Sequence, residues 1–113
     1  MTNSTAEKLP VQFILPAVNI IETPKAYIVT LDIPGAVKEK ITANIENNSL
    51  VVVADIAEYS TSEKTESAKQ YKREFTLATD IDVHTVDAQY DLGVLTVSLN
   101  KKEQYLPKSI TIN

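Results

Sequence analysis

Few side chains in this sequence could take part in catalysis or metal binding, and they are widely spaced. His84 is the single histidine, and the segment 80–84 places two carboxylates and an imidazole at alternate positions. A calcium loop built on this segment would need a glycine at its sixth position, where Thr85 stands. His84 also has no neighbouring motif that would activate a serine or threonine nucleophile. We therefore interpret the segment as a solvated turn without a metal.

Other classes of chemical site also lack their residues. The two glycines, Gly35 and Gly93, lie far apart, so a glycine-rich phosphate loop cannot form. The chain has no cysteine, which excludes disulfides and thiolate metal sites and favours a reducing compartment. Paired carboxylates could act as general acid and base, but the candidates fall at predicted turns and strand ends, where carboxylates are normally hydrated: Asp80, Asp82, Asp87 and Asp91. We expect a protein that is not an enzyme and uses no cofactor.

Composition favours one soluble domain. A chain of 113 residues with 43% hydrophobic and 23% charged residues has enough apolar side chains for one core. The net charge of −4 argues against a nucleic acid or an anionic membrane as partner, because both attract clustered basic residues. The polar segment 1–10 does not have the pattern of a signal peptide, and the apolar-rich segment 11–21 is too short to span a membrane. We expect a cytoplasmic protein.

Alternating hydrophobicity predicts strands along most of the chain. In the segment 88–99 a strand, a tight turn on Gly93 and a second strand follow one another, and Leu95, Val97 and Leu99 share one face. Further strands are predicted at 17–21, 26–33, 41–46, 50–56, 70–77 and 86–91, separated by non-strand segments at 36–40 (a loop or helical turn), 57–69 (a surface loop) and 79–85 (a turn region). The nearly continuous aliphatic run 50–56 is expected to be central. The pattern predicts an all-β, antiparallel sandwich.

Four segments together resemble the α-crystallin domain of small heat-shock proteins. The run 93–97 (GVLTV), with Ala88 before it, resembles the signature hairpin of that domain. The segments 31–35, 73–77 and 110–112 agree with the family in order and spacing. The resemblance covers 17–113 and implies an immunoglobulin-like β-sandwich at 17–100, between a short flexible arm (1–16) and a carboxyl-terminal extension (101–113) with an Ile-x-Ile motif. Leu92 departs from the family, which usually has Asn or Asp before the hairpin glycine.

The resemblance implies an ATP-independent chaperone, a holdase that binds partly unfolded clients and assembles into homodimers and higher oligomers. In the family the Ile-x-Ile motif, here Ile110 and Ile112, fills a groove on a neighbouring subunit. By position this groove is lined by Ile41, Ala43, Ile45, Val86, Ala88 and Tyr90, or by their alternate-face neighbours. Arg73 aligns with an arginine at the family's dimer interface, and Tyr71 and Phe75 lie beside it. Without the resemblance, Arg73 is equally well a snorkelling side chain on an edge strand.

Several alternatives stay open. The apolar cluster Phe13, Ile14 and Leu15 is either a strap packed on the domain or an exposed contact for clients or subunits. The segment 110–112 is either the groove-filling motif or a last strand folded on its own domain. The dimer either exchanges the loop 57–69 or pairs the strand 70–77 with its own copy. The alternative function is a monomeric co-chaperone or adaptor of the CS-domain type, which binds one folded partner. An extracellular immunoglobulin-like adhesion module is disfavoured by the missing cysteines and export signal.

Overall fold

The computed structural model describes residues 11–57, 68–107 and Ile112, apart from the side chain of Ala68. These residues form eight strands and one short 3-10 helix. The strands are β1 (Val11–Ile14), β2 (Ala17–Glu22), β3 (Ala26–Asp32), β4 (Ala36–Glu46), β5 (Ser49–Ile56), β6 (Ala68–Thr76), β7 (Ile81–Asp91) and β8 (Val94–Lys101). The 3-10 helix, Glu103–Tyr105, follows β8.

The strands form two four-stranded sheets, with the orders β1-β6-β5-β4 and β2-β3-β8-β7. The prediction of an all-β sandwich rich in antiparallel pairs is confirmed. The run 50–56 is central, as expected, because β5 lies between β6 and β4. One pair differs from the prediction: β1 runs parallel to β6, with Val11 opposite Ala68 and Ile14 opposite Tyr71.

The core lies between the two sheets and consists of the inward-facing residue of each alternating pair. On β8 these residues are Leu95, Val97 and Leu99, each no more than 2% exposed. The facing sheet contributes Leu50, Val52 and Ala54 of β5, and β3 adds Val29 and Leu31. Strands β3, β5 and β8 thus bury every second residue, and β1, β4, β2 and β7 form the edges of the two sheets.

Two hairpin turns have both central residues in the left-handed region. Asn47 and Asn48 have φ values of 50° and 65°, and Leu92 and Gly93 have values of 50° and 82°. Turns of this kind match the twist of antiparallel strands and favour Asn and Gly. Gly93 is favoured by its φ alone, since a Cβ there would make only ordinary van der Waals contact, 3.4 Å from Cα of Pro34. Leu92, 93% exposed, is the residue whose type does not suit its conformation.

Replacing Leu92 with Asn is expected to stabilise the domain by about 1 kcal/mol, because a bulky side chain pays roughly that amount for left-handed backbone. A domain of this size should then melt about 4–8 °C higher. Thermal and urea unfolding measure the change. Leu92→Ala is the matched control, since it shortens the side chain but keeps the Cβ penalty. An equal gain from Leu92→Ala would attribute the effect to the exposed apolar surface instead of the backbone.

Two predicted loops are strands in the structure. The segment 36–40 opens β4, and residues 81–85 open β7. In both segments the pairing with the neighbouring strand shifts, between Ala36 and Ile41 on β4 and between Ile81 and Val86 on β7. The predictions were wrong because an irregular segment on an outer strand shows no strict alternation of apolar and polar residues.

Candidate functional site: an apolar groove between two edge strands

The outer strands β4 and β7 belong to opposite sheets and border one side of the sandwich. An apolar groove of about 270 Å³ lies between them. Its lining residues are Lys38, Ile41 and Ala43 on β4, Ala88 and Tyr90 on β7, and Leu95 on β8. Lys38 is the one charged residue among them, so the groove suits an apolar occupant with few polar demands.

The groove exists because each of the two strands places one alanine between larger residues on its groove-lining side. Ala43 and Ala88 line the groove and leave room that larger side chains would fill. Leu95, 2% exposed, forms part of the floor. One end is closed by Tyr90, whose hydroxyl donates to the carbonyl oxygen of Ile33 at 3.3 Å and lies 3.5 Å from that of Ala36.

The residues predicted for the groove occupy two positions in the structure. Ile41, Ala43, Ala88 and Tyr90 line the groove itself. Ile45 and Val86 lie further along the same strands, half-buried against the core. Sequence reasoning missed Lys38, because it was assigned to a loop, and Leu95, because its alternation marked it only as core. Whether the groove binds a chain segment stays a prediction.

The predicted occupant lies mostly outside the described residues. Ile110 is not described, whereas Ile112 is described and is 90% exposed. A large aliphatic side chain that exposed has almost none of its surface covered by its own domain.

The predicted dimer residues share the inward face of β6 near the opposite side of the sandwich. Tyr71 donates from its hydroxyl to the carbonyl oxygen of Pro34 at 2.7 Å, so it also ties β6 to the β3–β4 turn. The guanidinium carbon of Arg73 lies 5.7 Å from the centre of the Phe75 ring. Arg73 makes no salt bridge with any carboxylate in the described part of the chain.

The predicted client-contacting residues lie on and just after β1. Phe13 is 54% and Leu15 70% exposed, while Ile14 is half-buried. The ammonium group of Lys72 lies 5.1 Å from the centre of the Phe13 ring. The backbone of this segment therefore pairs with the sheet, as in a packed strap, while two of its apolar side chains face solvent, as in an exposed contact surface. The segment has features of both alternatives.

A polar cluster that sequence reasoning missed holds the end of β8, where the extension begins. The ammonium group of Lys101 contacts a carboxylate oxygen of Glu22 at 2.7 Å and lies 5.0 Å from the ring centre of Tyr27. The Tyr27 hydroxyl donates to Asp80 at 3.1 Å. The hydrogen bond to Glu22 raises the pKa of Lys101, and burial followed by the Asp80 contact raises the pKa of Tyr27. Both groups therefore stay protonated at neutral pH.

His84 lies in the irregular first part of β7, where Asp82 makes short-range hydrogen bonds. The His84 backbone N–H donates to an Asp82 carboxylate oxygen at 3.0 Å, and the Thr85 hydroxyl donates to the Asp82 carbonyl oxygen at 3.3 Å. In the described ranges, no group of three or more His, Asp or Glu side chains is arranged to hold a metal ion. The described residues also include no helix long and apolar enough to cross a membrane.

Two solved structures of heat-shock proteins match this fold. A small heat-shock protein from Xylella fastidiosa superposes with a TM-score of 0.69 and 22% identity, covering 87% of this chain and 95% of the other. Heat shock protein 16.0 from Schizosaccharomyces pombe gives a TM-score of 0.67 and 22% identity, covering 88% of this chain and 76% of the other. At this identity the likeness establishes the fold, which is that of the predicted α-crystallin domain.

Sequence comparison identifies the family. The 17.4 kDa class III heat shock protein of Arabidopsis thaliana is 33% identical over 107 residues, covering 84% of this chain and 69% of the plant protein. The 16.9 kDa class I heat shock protein 1 of Triticum aestivum is 31% identical over 94 residues, covering 77% of this chain and 62% of the plant protein. The model of the Hsp20/alpha crystallin family matches residues 19–113. The chain therefore belongs to the Hsp20/alpha crystallin family of small heat-shock proteins.

Proposed function

We propose that the protein is an ATP-independent holdase that captures partly unfolded proteins and assembles through its carboxyl-terminal extension. The chaperone class follows from family membership, and no comparison favours the CS-domain alternative. The finer proposal rests on one observation: the same chain has both an apolar groove and an exposed Ile112. We call the apolar pair Ile110 and Ile112 the plug. Because each chain has both a groove and a plug, the plug of one copy can bind the groove of the next.

The energetics of this plug support reversible assembly. In an extended tail, Ile110 and Ile112 point to the same side about 6.5–7 Å apart. Their full burial is worth about 3–6 kcal/mol before costs are counted. Ordering the tail and losing its freedom of motion remove much of that gain. We therefore expect a weak contact that exchanges between copies.

For the dimer, the pairing of β1 supports exchange of the loop 57–69 over self-pairing of β6. β1 occupies the edge of β6 from Ala68 to Tyr71, so pairing of the full strand with its own copy would require β1 to leave. β2 pairs only with β3 in the described sheets, and it exposes Ile20 and Ile21 by 53% and 52%. This free edge suits an incoming strand. Residues 58–67 of the loop lie outside the described part of the chain.

The half-buried Arg73 supports a role in the same dimer. Its guanidinium stacks near Phe75 without a carboxylate partner among the described residues. A charge in such a position gains from an acidic group supplied across an interface. Phe13 and Leu15 are our candidates for client contact because they are large, apolar and exposed. The cytoplasmic location stays a prediction.

The experiment that tests the chaperone proposal is light scattering from a heat-aggregating client. We expect the protein, at about one chain per client chain and without nucleotide, to suppress most of the scattering. Added ATP should change nothing, because the sequence has no glycine-rich loop that could bind its phosphates. An equal mass of an unrelated small protein is the control. Scattering equal to that control would contradict the holdase proposal and favour the adaptor.

A further inference from the structure

We propose that the sandwich has a ligand site of its own, a mostly apolar cavity that binds one small, uncharged aromatic molecule. The cavity has a volume of about 180 Å³ and lies between the two sheets. It shares no lining residue with the groove between β4 and β7. The proposal does not depend on the proposed function, because the carboxyl-terminal extension takes no part in it.

The walls of the cavity are core side chains. Leu50, Leu77 and Leu99 line it and are 0%, 6% and 2% exposed. Val29 and Ile81 line it as well and are also buried. All five belong to the core cluster, so packing on their other sides holds them in place. The cavity is therefore part of the core and not a depression on the outer surface.

The mouth of the cavity opens on the side bordered by β2 and β6. Ile20 lies opposite Val29 in the β2–β3 ladder, so its side chain is on the inward face of the sheet, yet it is 53% exposed. Thr76 and Ala78 are the other exposed lining residues. β1 pairs with β6 only from Ala68 to Tyr71, so it leaves the end of β6 at Thr76 uncovered. A small molecule can therefore enter without unfolding the domain.

The chemistry of the lining determines the class of ligand. No charged residue of the described chain lines the cavity, and its two hydroxyl groups belong to Tyr27 and Thr76. The Tyr27 hydroxyl already donates to Asp80 at 3.1 Å. A water molecule needs about two to four polar partners in such a space, whereas an apolar molecule needs none. The ring of Phe75 also lines the cavity, and aromatic rings pack favourably against one another.

The volume limits the ligand to a single ring. In another protein, a cavity of about 150 Å³ lined by Leu, Ile and Phe stays dry and binds benzene. At about 180 Å³ the present cavity has room for benzene with one added methyl group, so toluene is the appropriate probe. We expect a dissociation constant on the order of 0.1–1 mM, because a ligand with so few atoms gains little free energy on burial.

The test is a titration of the full-length protein with toluene, observed by methyl NMR. The ring current of bound toluene should shift the methyl signals of Val29, Leu50, Leu77 and Leu99 in a saturable manner. The methyl signal of Ala88, in the groove between β4 and β7, should not move. Because the ligand binds the folded state, toluene near saturation should also raise the melting temperature by about 2–8 °C.

A matched pair of variants locates the site on the inward face of β2. Ile20→Trp places a large ring at the mouth and should weaken toluene binding by about tenfold or more. Ile21→Trp is the control, because Ile21 is 52% exposed and points to the opposite face of the sheet. It should bind toluene like the natural chain. Thermal unfolding shows whether each variant folds, and the methyl shifts of the natural chain test the proposal even if one does not.

Several results would overturn the proposal. Methyl shifts confined to exposed side chains such as Leu15 would place toluene on the outer surface. Unweakened binding by Ile20→Trp, or an equal loss in both variants, would show that the cavity is not the site. The absence of any saturable shift, as when a side chain of a neighbouring copy already fills the cavity, would exclude a small aromatic ligand there.

Discussion

Removal of residues 109–113 is expected to reduce the assembled mass several-fold, to a dimer or smaller. The deletion takes away both isoleucines, and with them about 3–6 kcal/mol of gross burial at every tail contact. Each tail contact is weak once its entropic costs are subtracted. Without the burial of the two isoleucines, oligomers larger than the dimer should not be populated at micromolar concentration. Sedimentation velocity and light-scattering mass measure the change directly.

Two substitutions refine that experiment. Ile110→Ser combined with Ile112→Ser keeps the tail length and should disassemble the protein as the deletion does. Thr111→Ala is the matched control, because in an extended tail residue 111 points away from the side shared by the isoleucines. It should sediment like the natural chain. A truncated protein with unchanged sedimentation would contradict the role of the tail as a plug.

Blocking the groove should have an effect as large as removing the tail. Ala88 lines the groove and is itself exposed, so Ala88→Trp places a large ring where the tail would lie without disturbing a buried residue. We expect the variant to fold, as judged by its thermal unfolding, and to show the same low mass. Gln89→Trp is the matched control, because adjacent residues of a strand point to opposite faces.

A mixing experiment makes the prediction specific to a contact between copies. Chains lacking residues 109–113 keep an intact groove, whereas Ala88→Trp chains keep an intact tail. Neither should assemble beyond the dimer alone, but their mixture should form larger complexes through one type of contact. If the two variants stay separate when mixed, or if Gln89→Trp disassembles as fully as Ala88→Trp, the groove between β4 and β7 is not the binding surface.

The sandwich and its family could be predicted from the sequence because the central strands are the regular ones. Strands β3, β5 and β8 bury every second residue, so the alternation in the sequence reflects the core directly. The groove could be predicted in part for the same reason, since Ile41, Ala43, Ala88 and Tyr90 lie on regular stretches of β4 and β7. The resemblance then supplied the predicted use of the groove, which alternation alone does not indicate.

The rest of the site depends on tertiary contacts that leave little local pattern. Lys38 lies on an irregular part of an outer strand, where pairing with β5 shifts and neither face is fully buried. The parallel pairing of β1 joins residues more than fifty positions apart through backbone groups, which have the same chemistry in every sequence. The contact of Lys101 with Glu22 likewise brings together distant residues whose types are ordinary on any surface.

The shifted pairing at the start of β4 and β7 has a consequence for a chaperone whose clients are partly unfolded and prone to aggregate. An unfolded polypeptide that adds to a long, flat sheet edge turns that edge into a template for cross-β fibrils. Here the two strands that border the groove each lose their regular ladder over about one third to one half of their length. Under the proposed function a short tail would still fit between them, whereas a growing stack of identical strands would meet the break in the ladder. If the groove binds the extension as proposed, we expect it to do so without offering a continuous strand edge for amyloid growth.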